Sequence, residues 1–360
     1  MTVKQSIYQD PESGLEVFTH SMMTTMRRCP QQFAYKYVER LKPRRVGAPL
    51  RRGTWLHALL EAHYKGESWE AVHDAYSADY GTLFDEEQDA LGDLPTECDR
   101  IMRSYLWHWR EGPYGRESDP KWKTIETEMK LEVPLPDGRL YRCRIDVLAE
   151  DENGQLIVID HKSHKTLPDL SYRIADSQSL LYLWALRKSG YDVHRFVWNY
   201  LRTKAPTKPQ MIKDGSRLSA KAVETDYPTA RRAVDEYGLS IKHPTINRWL
   251  VALQRQRWQP GMIQTSPFFR REFVDRTDED LERMAMSALY TALRITEYPW
   301  DEPDMVERVT SRDCKFRCSF TDLCSTEIFG GNADNVRRLN FTVGDPLDYY
   351  EDLKDRREIT

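Results

Sequence analysis

The 360-residue sequence contains no run of about 18 apolar residues, which is the length that a membrane-spanning helix needs. Its first residues, MTVKQSIYQDPESG, include no apolar segment typical of a secretory signal, so we expect a cytoplasmic protein in a reducing compartment. Neither an internal repeat nor a low-complexity tract is visible. The motif G-x4-G-K-S/T is also missing, which excludes a chain that is itself an ATP-driven helicase.

The composition is that of an ordinary globular protein, with 40% hydrophobic and 11% aromatic residues that can form cores. The formal net charge is only -4, but the charge is unevenly distributed. Residues 42–52, KPRRVGAPLRR, carry five cations and no acid. This segment is either a solvated basic loop or a face that contacts phosphates. In the second case the DNA contacts are Arg44, Arg45, Arg51 and Arg52.

The order of predicted elements indicates a mixed α/β core with helices on both sides. The N-terminal part is helical, with a break at Pro30 and a helix over 53–64. The predicted strands are 124–135, 140–148, 155–160, 194–202 and, less regularly, 267–274, with a helix from about 176. We therefore expect a helical segment at 1–120, a core at 121–202, a helical insertion or extension at 203–300 and a C-terminal segment at 301–360.

Two acidic residues and a lysine lie near the ends of adjacent predicted strands. Asp160 ends the apolar strand LIVID, Lys162 follows two residues later, and Asp146 interrupts the strand RIDVL. Residues i and i+2 of a strand share a face, and the turn between the strands can bring Asp146 beside the other two. A hard cation such as Mg²⁺ relieves the repulsion between paired carboxylates. The pattern predicts a metal that activates water or polarises a phosphoryl oxygen, with Lys162 orienting the water or offsetting charge on the phosphate.

Each of these residues also has an ordinary structural explanation, such as the end of a strand or an exposed cation. Four further residues accompany them in the chain: His57, Glu128, Gln178 and Tyr182. His57 alone would more often be a satisfied core histidine, and Glu126 or Glu132 could take the place of Glu128. Gln178 and Tyr182 are four residues apart on a predicted helix and therefore share a face. The joint order of these residues favours a site.

Three of the six cysteines are close in sequence, with the spacing C-x3-C-x5-C in DCKFRCSFTDLC: Cys314, Cys318 and Cys324. Cys29, far upstream in RRCPQQF, would complete a four-thiolate site. Soft thiolates favour zinc or an iron–sulfur cluster over Mg²⁺, and the spacing does not separate these two from each other or from unligated thiols. Cys98 and Cys143 are isolated and are predicted to be structural. A site that joins the chain ends would act as a structural staple.

Taken in order, these residues resemble a known family: Cys29-Pro, Gly53-x3-His57, Glu128, Asp146, Asp160-x-Lys162, Gln178-x3-Tyr182 and the three late cysteines. The order is similar to that of the RecB-like branch of the PD-(D/E)XK nuclease superfamily. In particular it resembles the iron–sulfur exonucleases related to AddB, the CRISPR-associated RecB-like exonucleases and their phage homologues. The similarity runs from about residue 21 to about residue 325.

The resemblance implies a mixed-sheet nuclease core whose N- and C-terminal segments join at a four-cysteine cluster. It implies a deoxyribonuclease that depends on Mg²⁺ or Mn²⁺ and degrades DNA from an end; many such enzymes act on single strands. His57, Asp146 and Asp160 would bind the metal, assisted by the carbonyl of His161, and Lys162 would be the catalytic lysine. The supporting or DNA-contacting residues would be Glu128, Gln178 and Tyr182, and the ligands of a 4Fe–4S cluster would be Cys29, Cys314, Cys318 and Cys324.

The sequence departs from the family pattern at three places. The first two late cysteines have C-x3-C where several members have C-x2-C, which leaves zinc open as the bound metal. Ser163 follows the lysine where threonine is common, and residues 203–265 look like an insertion to which we assign no role. The size of the chain and the missing helicase resemble stand-alone phage enzymes. This analogy suggests recombination, replication or repair in the bacterial host cytoplasm, with recombination or replication proteins as partners.

Two other functions remain open on the same core. A non-catalytic DNA-binding module would use the fold as a clamp, but it would have no need of Asp146, Asp160 and Lys162 together. A restriction-type endonuclease would share the metal chemistry and would cut closed circular DNA. The distant cysteine pairing favours the enzymes that process DNA ends.

Overall fold

The computed structural model of the chain describes residues 9–10, 13–109, 122–169, 176–212, 218–219, 224–255 and 266–347. Predictions for the remaining residues lie outside this described part. They concern the two chain ends, residues 110–121, residues 170–175 and parts of the segment 203–265.

Six strands of the described chain form a mixed central sheet. They are β1 (Val17–Thr19), β3 (Lys123–Pro134), β4 (Leu140–Glu150), β5 (Leu156–His164), β6 (Val193–Arg202) and β7 (Phe269–Asp275). Strand β4 pairs in antiparallel fashion with β3 and β5, and in parallel with the short β1. Strand β6 is parallel to β5 and antiparallel to β7. The predicted mixed α/β class is confirmed, and each of the five predicted strands is present.

The turn between β3 and β4 follows from the sequence PDGR. Gly138 adopts a φ of 93°, a left-handed conformation that costs glycine little because it has no Cβ. Its backbone N–H donates to the carbonyl of Leu135. The turn fixes the register of the two long strands, and with it the level at which Asp146 lies.

Helices surround the sheet in the described residues. They are α1 (His20–Arg28), α2 (Pro30–Phe33), α3 (Ala48–Lys65), α4 (Trp69–Gly81), α5 (Asp85–Leu91), α6 (Leu94–Trp109), α7 (Ser177–Lys188), α8 (Tyr227–Glu236), α9 (Pro244–Arg255), α10 (Asp278–Glu297), α11 (Asp313–Arg317), α12 (Thr321–Ile328) and α13 (Ala333–Asn340). A π-helical turn follows α2 at Ala34–Val38, and a 3-10 turn lies at Pro303–Met305. No helix in the described ranges is both long and apolar enough to cross a lipid bilayer.

The helix that carries His57 begins earlier than the sequence pattern predicts. The expected start is residue 53, whereas α3 begins at Ala48, with Pro49 in its first turn. Proline is well tolerated there because the first helical N–H groups have no partner within the helix. Arg51 and Arg52 are therefore helical, and the prediction of one basic loop over 42–52 is wrong for this part.

The sheet is buried on both faces, which explains the almost wholly apolar sequence of β5. Val158 packs in a core shared with α1, α7 and α10. Its neighbours Ile157 and Ile159 lie in a second cluster on the other face, against Tyr64 of α3. Burying an aliphatic side chain contributes about 1.5–3 kcal/mol, so such a strand is favoured only between two layers.

The N- and C-terminal segments meet away from the central sheet. Strand β2 (Leu41–Pro43) pairs with β8 (Phe341–Val343) in a small antiparallel sheet. Tyr35, Leu41 and Phe341 share a buried cluster with Phe320 and Leu323. This contact places the π-helical turn after Cys29 beside α12, which contains Cys324.

Candidate active site

Three acidic residues lie at one level of neighbouring strands. The β4–β5 ladder runs to the pair Val147↔Ile159, and the next residues on the two strands are Asp146 and Asp160. On the other edge of β4, Glu128 and Asp146 lie between the pairs Thr127↔Val147 and Met129↔Ile145. The register thus brings the three backbone positions to one level, with the side chain of Asp160 toward α7 and that of Asp146 toward His57 of α3.

Glu128 has an unusual backbone conformation for a strand residue. Its φ of 51° lies in the left-handed region, which costs a non-glycine residue about 1–3 kcal/mol. The carboxylate of Glu128 contacts the guanidinium of Arg144 at 2.6 Å. Strain of this kind is concentrated at functional sites, where it fixes the position of a side chain.

Asp160 is held by two partners on the face of the sheet that packs against α7. The Nζ atom of Lys162 lies 2.5 Å from Oδ2 of Asp160, as the i, i+2 spacing predicts. The side-chain amide of Gln178 donates to Oδ1 of Asp160 at 3.0 Å, and the same nitrogen lies 3.0 Å from the hydroxyl of Tyr182. Asp176 caps α7 and accepts from the backbone N–H of Gln178. The cap thus positions Gln178 toward the buried carboxylate.

His57 reaches the same carboxylate row from α3. Its Nδ1 atom lies 3.5 Å from Oδ2 of Asp146. The ligand atoms of His57, Glu128 and Asp146 all lie within 4.8 Å of one another. One imidazole nitrogen and two carboxylate oxygens are donors that Mg²⁺ or Mn²⁺ accepts in proteins. The residues present therefore fit a divalent cation.

The protonation states of this group also fit a cation. Burial and the neighbouring Asp146 raise the pKa of Glu128 to about 8. Burial opposes ionisation of Asp146 as well, but His57, His161 and Lys162 lower the pKa of Asp146 on balance. Burial lowers the pKa of His57, which leaves its ring neutral. One carboxylate is thus ionised while its neighbour holds a proton, and a divalent cation would displace that proton.

The predicted metal ligands are not all equivalent in the structure. His57 and Asp146 lie together, with Glu128, for which the family resemblance implied only a supporting role. Asp160 lies at the same level, but its two oxygens contact Lys162 and Gln178. A metal bound to Asp160 would have to share or replace one of these contacts. The backbone of His161 lies at the site through its N–H group, which donates to Asp146 at 2.8 Å.

The ring of His161 belongs to a buried hydrogen-bond network that the sequence analysis missed. Its Nδ1 atom lies 2.8 Å from the side-chain nitrogen of Asn199, which in turn donates to the hydroxyl of Tyr105. Arg271 donates to the same hydroxyl at 3.3 Å. Burial lowers the pKa of His161 to about 3, so the ring is neutral. The network fixes the backbone that binds Asp146. A polar Asn199 within the apolar strand FVWNYL was the available signal.

The four cysteines predicted as ligands line one cavity of about 110 Å³: Cys29, Cys314, Cys318 and Cys324. Cys98 and Cys143 are buried elsewhere. In the described part of the chain, His57, Glu128 and Asp146 are the only three such ligand groups within 4.8 Å, so no three cysteine sulfurs lie that close together. Burial raises the pKa of Cys318 and Cys324, which makes them thiols until a metal displaces their protons.

The four arginines predicted to contact DNA occupy different surroundings. Arg44 and Arg45 are exposed in the loop after β2, where the guanidinium of Arg44 donates to the carbonyl of Arg338 at 3.4 Å. Arg51 and Arg52 lie on α3, and Arg52 pairs with Glu97 of α6 at 2.5 Å. Two of the four arginines lie in a loop and two lie on a helix, whereas a single basic segment would place all four in one element.

A mixed sheet flanked by helices, with a row of carboxylates beside a lysine, is the architecture of a metal-dependent nuclease core. The sequence profile of the PD-(D/E)XK nuclease superfamily matches residues 17–325, and the chain belongs to this superfamily. Membership supports a hydrolytic nuclease whose substrate is DNA and whose chemistry uses divalent metal.

Solved structures add distant likenesses. A candidate exonuclease from Eubacterium rectale is 15% identical, with a TM-score of 0.36 over 66% of this chain and 82% of that protein. The protein SSO0001 is 13% identical, with a TM-score of 0.30 over 86% of this chain and 85% of its own. With TM-scores below 0.5, neither likeness bears on the activity of this chain. No curated protein matches the sequence significantly.

Proposed function

We propose that the protein is a Mg²⁺- or Mn²⁺-dependent deoxyribonuclease that hydrolyses phosphodiester bonds from free DNA ends. The observation that carries this proposal is the row of Glu128, Asp146 and Asp160 across three strands, with Lys162 2.5 Å from Asp160. A clamp that only binds DNA has no use for buried acids next to the phosphate path, because they would repel the phosphate.

Each residue of the site has a role in this reaction. His57, Glu128 and Asp146 would hold the cation, and Asp160 would join them by sharing one of its contacts with Lys162 or Gln178. When bound, the cation supplies an activated water and a polarised phosphoryl oxygen. Lys162 places its ammonium beside the attacked phosphate and offsets the charge that develops there. Gln178 and Tyr182 keep Asp160 oriented, and the His161 N–H group keeps Asp146 in place.

The test uses linear and closed circular DNA of the same sequence. We expect the purified protein to degrade the linear form in Mg²⁺ or Mn²⁺, to leave the closed circle intact, and to do nothing in EDTA. The variant Asp160→Asn should be inactive while its DNA binding is retained. Cutting of the closed circle at discrete positions would instead identify a restriction-type endonuclease. Tight binding without cleavage in either metal would identify a DNA-binding module.

We infer further that the four cysteines hold a 4Fe–4S cluster. Their side chains line one cavity of about 110 Å³, and four thiolates around one cavity are the ligand set of a 4Fe–4S cluster or of a single zinc ion. The resemblance to the iron–sulfur exonucleases supports the cluster. Anaerobic purification should give a brown protein with visible sulfur-to-iron absorption and about four irons per chain; zinc in place of iron would overturn the assignment.

The biological setting rests on the family resemblance alone. On that ground we assign the enzyme to the cytoplasm and to recombination, replication or repair of phage or bacterial DNA. Recombination or replication proteins would be its partners.

A further inference from the structure

A large groove lies next to the active site and involves the insertion for which the sequence suggested no role. Its volume is about 1120 Å³. One wall consists of side chains from the first turns of α3 and from α6, and the other consists of residues 202–210 and α8. The lining residues of this feature, here called the basic groove, include Arg100, Trp107, Lys165, Lys204 and Arg232.

The basic groove is strongly cationic. Eight arginine or lysine side chains line it, against two glutamates. Six of these eight cations form ion pairs with four acids: Arg52 with Glu97, Arg103 with Asp99, Arg202 and Lys204 with Glu224, and Lys208 and Arg232 with Glu236. Arg100 and Lys165 are exposed and form no ion pair with any described residue. Positive charge remains on both walls, which is the electrostatic property of a site for a phosphate backbone.

The groove also contains a stacked pair of flat side chains, Arg232 on Trp107. Trp107 of α6 is half-buried in its wall, and the guanidinium carbon of Arg232 lies 3.3 Å from the centre of the indole ring. Arginine and tryptophan planes are the surfaces on which unpaired bases stack. The faces of paired bases within a duplex are covered by their neighbours, so this feature favours a single strand.

The groove approaches the active site at the ends of β5 and β6. Ser163, which directly follows Lys162, lines it, and so do Arg202 and Thr203 at the end of the adjacent strand β6. Helix α3 contributes Arg52 to the groove and His57 to the carboxylate row. A strand in the groove would therefore run along the helix that carries His57.

We propose that the basic groove binds single-stranded DNA and guides it to the carboxylate row, with the segment after β6 and α8 acting as one wall of the channel. This inference rests on the proposed nuclease function and assigns it a substrate form, an approach path and a role for the insertion. It also replaces the predicted basic segment 42–52 as the main backbone contact, since Arg52 is the only one of its four arginines that lines the groove.

The test compares two triple variants that remove the same charge. The groove variant is Arg100→Ala/Lys165→Ala/Lys204→Ala. The control is Lys188→Ala/Arg283→Ala/Arg294→Ala, on the α7–α10 side of the molecule. All six side chains are exposed, so neither variant should lose the fold, and melting curves check this. Binding of a fluorescent 20-nucleotide single strand is measured in EDTA, where no cleavage can occur.

We expect the groove variant to bind the single strand at least tenfold more weakly, with the slope of log K against log salt shallower by about 2, since each single-strand phosphate contact contributes about 0.7. The control should stay within twofold of the wild type. Trp107→Ala should weaken binding about tenfold while Trp107→Phe retains most of it, because stacking needs only an aromatic plane. Equal affinity of the two triple variants would overturn the proposal, as would an equal loss of duplex binding.

The outcomes separate this inference from the proposed function. If the wild type cleaves DNA and the groove variant binds the single strand as tightly as the wild type, the groove proposal is overturned and the proposed nuclease function stands. If the groove variant loses single-strand binding and the wild type cleaves no DNA in any metal, the groove proposal is supported and the proposed nuclease function is overturned. At saturating DNA the groove variant should cleave at the wild-type rate, because none of its three positions touches the carboxylate row.

Discussion

The Nζ atom of Lys162 lies 2.5 Å from Oδ2 of Asp160, whose side chain is only 1% exposed. An ionised carboxylate at such depth is unfavourable unless a cation and hydrogen bonds compensate it. The lysine neutralises the buried acid in the resting protein, and in the proposed reaction the same ammonium would carry positive charge to the point where phosphate enters.

We predict that Lys162→Met separates these functions. Cleavage should fall by at least about 10²-fold, because the charge that stabilises the transition state is lost. The free energy of unfolding should fall by about 3 kcal/mol, because removing one partner leaves a buried charge uncompensated. Single-turnover cleavage and urea unfolding measure the two effects.

The double variant Asp160→Asn/Lys162→Met provides the control for that prediction. It should regain most of the lost stability, since a neutral amide leaves no unpaired charge, and it should remain inactive. Lys188→Met, which breaks the exposed pair with Glu282, should change neither quantity measurably. A stable and inactive Lys162→Met protein would show that Asp160 is compensated by other groups.

Metal affinity should depend on pH through Glu128. Burial and Asp146 raise its pKa to about 8, so the metal-free protein holds a proton there at neutral pH. A cation must displace that proton, and its affinity should therefore rise up to tenfold per pH unit as pH increases toward 8, and level off above it. Titration with Mn²⁺ between pH 6 and 9 measures this dependence.

Glu128→Gln should weaken Mn²⁺ binding and abolish most of its pH dependence, since the amide carries no titrating proton. The matched control is Glu132→Gln on the same strand, where Glu132 pairs with Arg142 away from the carboxylate row. A wild-type affinity that is flat from pH 6 to 9 would remove Glu128 from the metal site.

Local patterns predicted the parts of the site that depend on one or two strands. The spacing of Asp160 and Lys162 places them on one face through the two-residue period of a strand, and the structure shows them in contact. The Asp-Gly turn set the β3–β4 register, and with it the level of Glu128 and Asp146. Both features follow from the local geometry of a short segment of the chain, so the sequence of that segment is enough to predict them.

The features that sequence reasoning missed depend on contacts between distant segments. Asn199, Tyr105 and Arg271 come from three separate elements, and no local pattern shows that they meet around His161. The basic groove likewise combines α6 with the segment after β6. The early start of α3 was missed for another reason, since the basic residues before His57 look like a loop until Pro49 is recognised as a first-turn proline.

Gln178 should matter more to activity than Tyr182, although both belong to one hydrogen-bond chain. The Gln178 amide donates directly to Asp160, and the same amide nitrogen lies 3.0 Å from the hydroxyl of Tyr182. We expect Gln178→Ala to lower cleavage about 10- to 100-fold, the usual effect of losing a residue that orients a metal-site carboxylate. Tyr182→Phe should cost only a few-fold. Steady-state kinetics should show the loss in kcat for Gln178→Ala, with KM little changed. Equal losses in the two variants would indicate that the hydroxyl itself contacts DNA.

The four-cysteine cavity should stabilise the fold more than it affects chemistry. The proposed cluster would join Cys29 to Cys314 and its neighbours, and a link across so long a loop can contribute about 5 kcal/mol through the unfolded state. Cys29→Ser should therefore abolish the visible absorption and lower the melting temperature by several degrees. The folded fraction should still cleave at a temperature well below melting. Cys98→Ala, which removes a buried thiol outside the cavity, should keep the absorption unchanged. A Cys29→Ser protein with wild-type thermal stability would contradict a structural role, because the cavity lies beside the contact of β2 with β8 that joins the two chain ends.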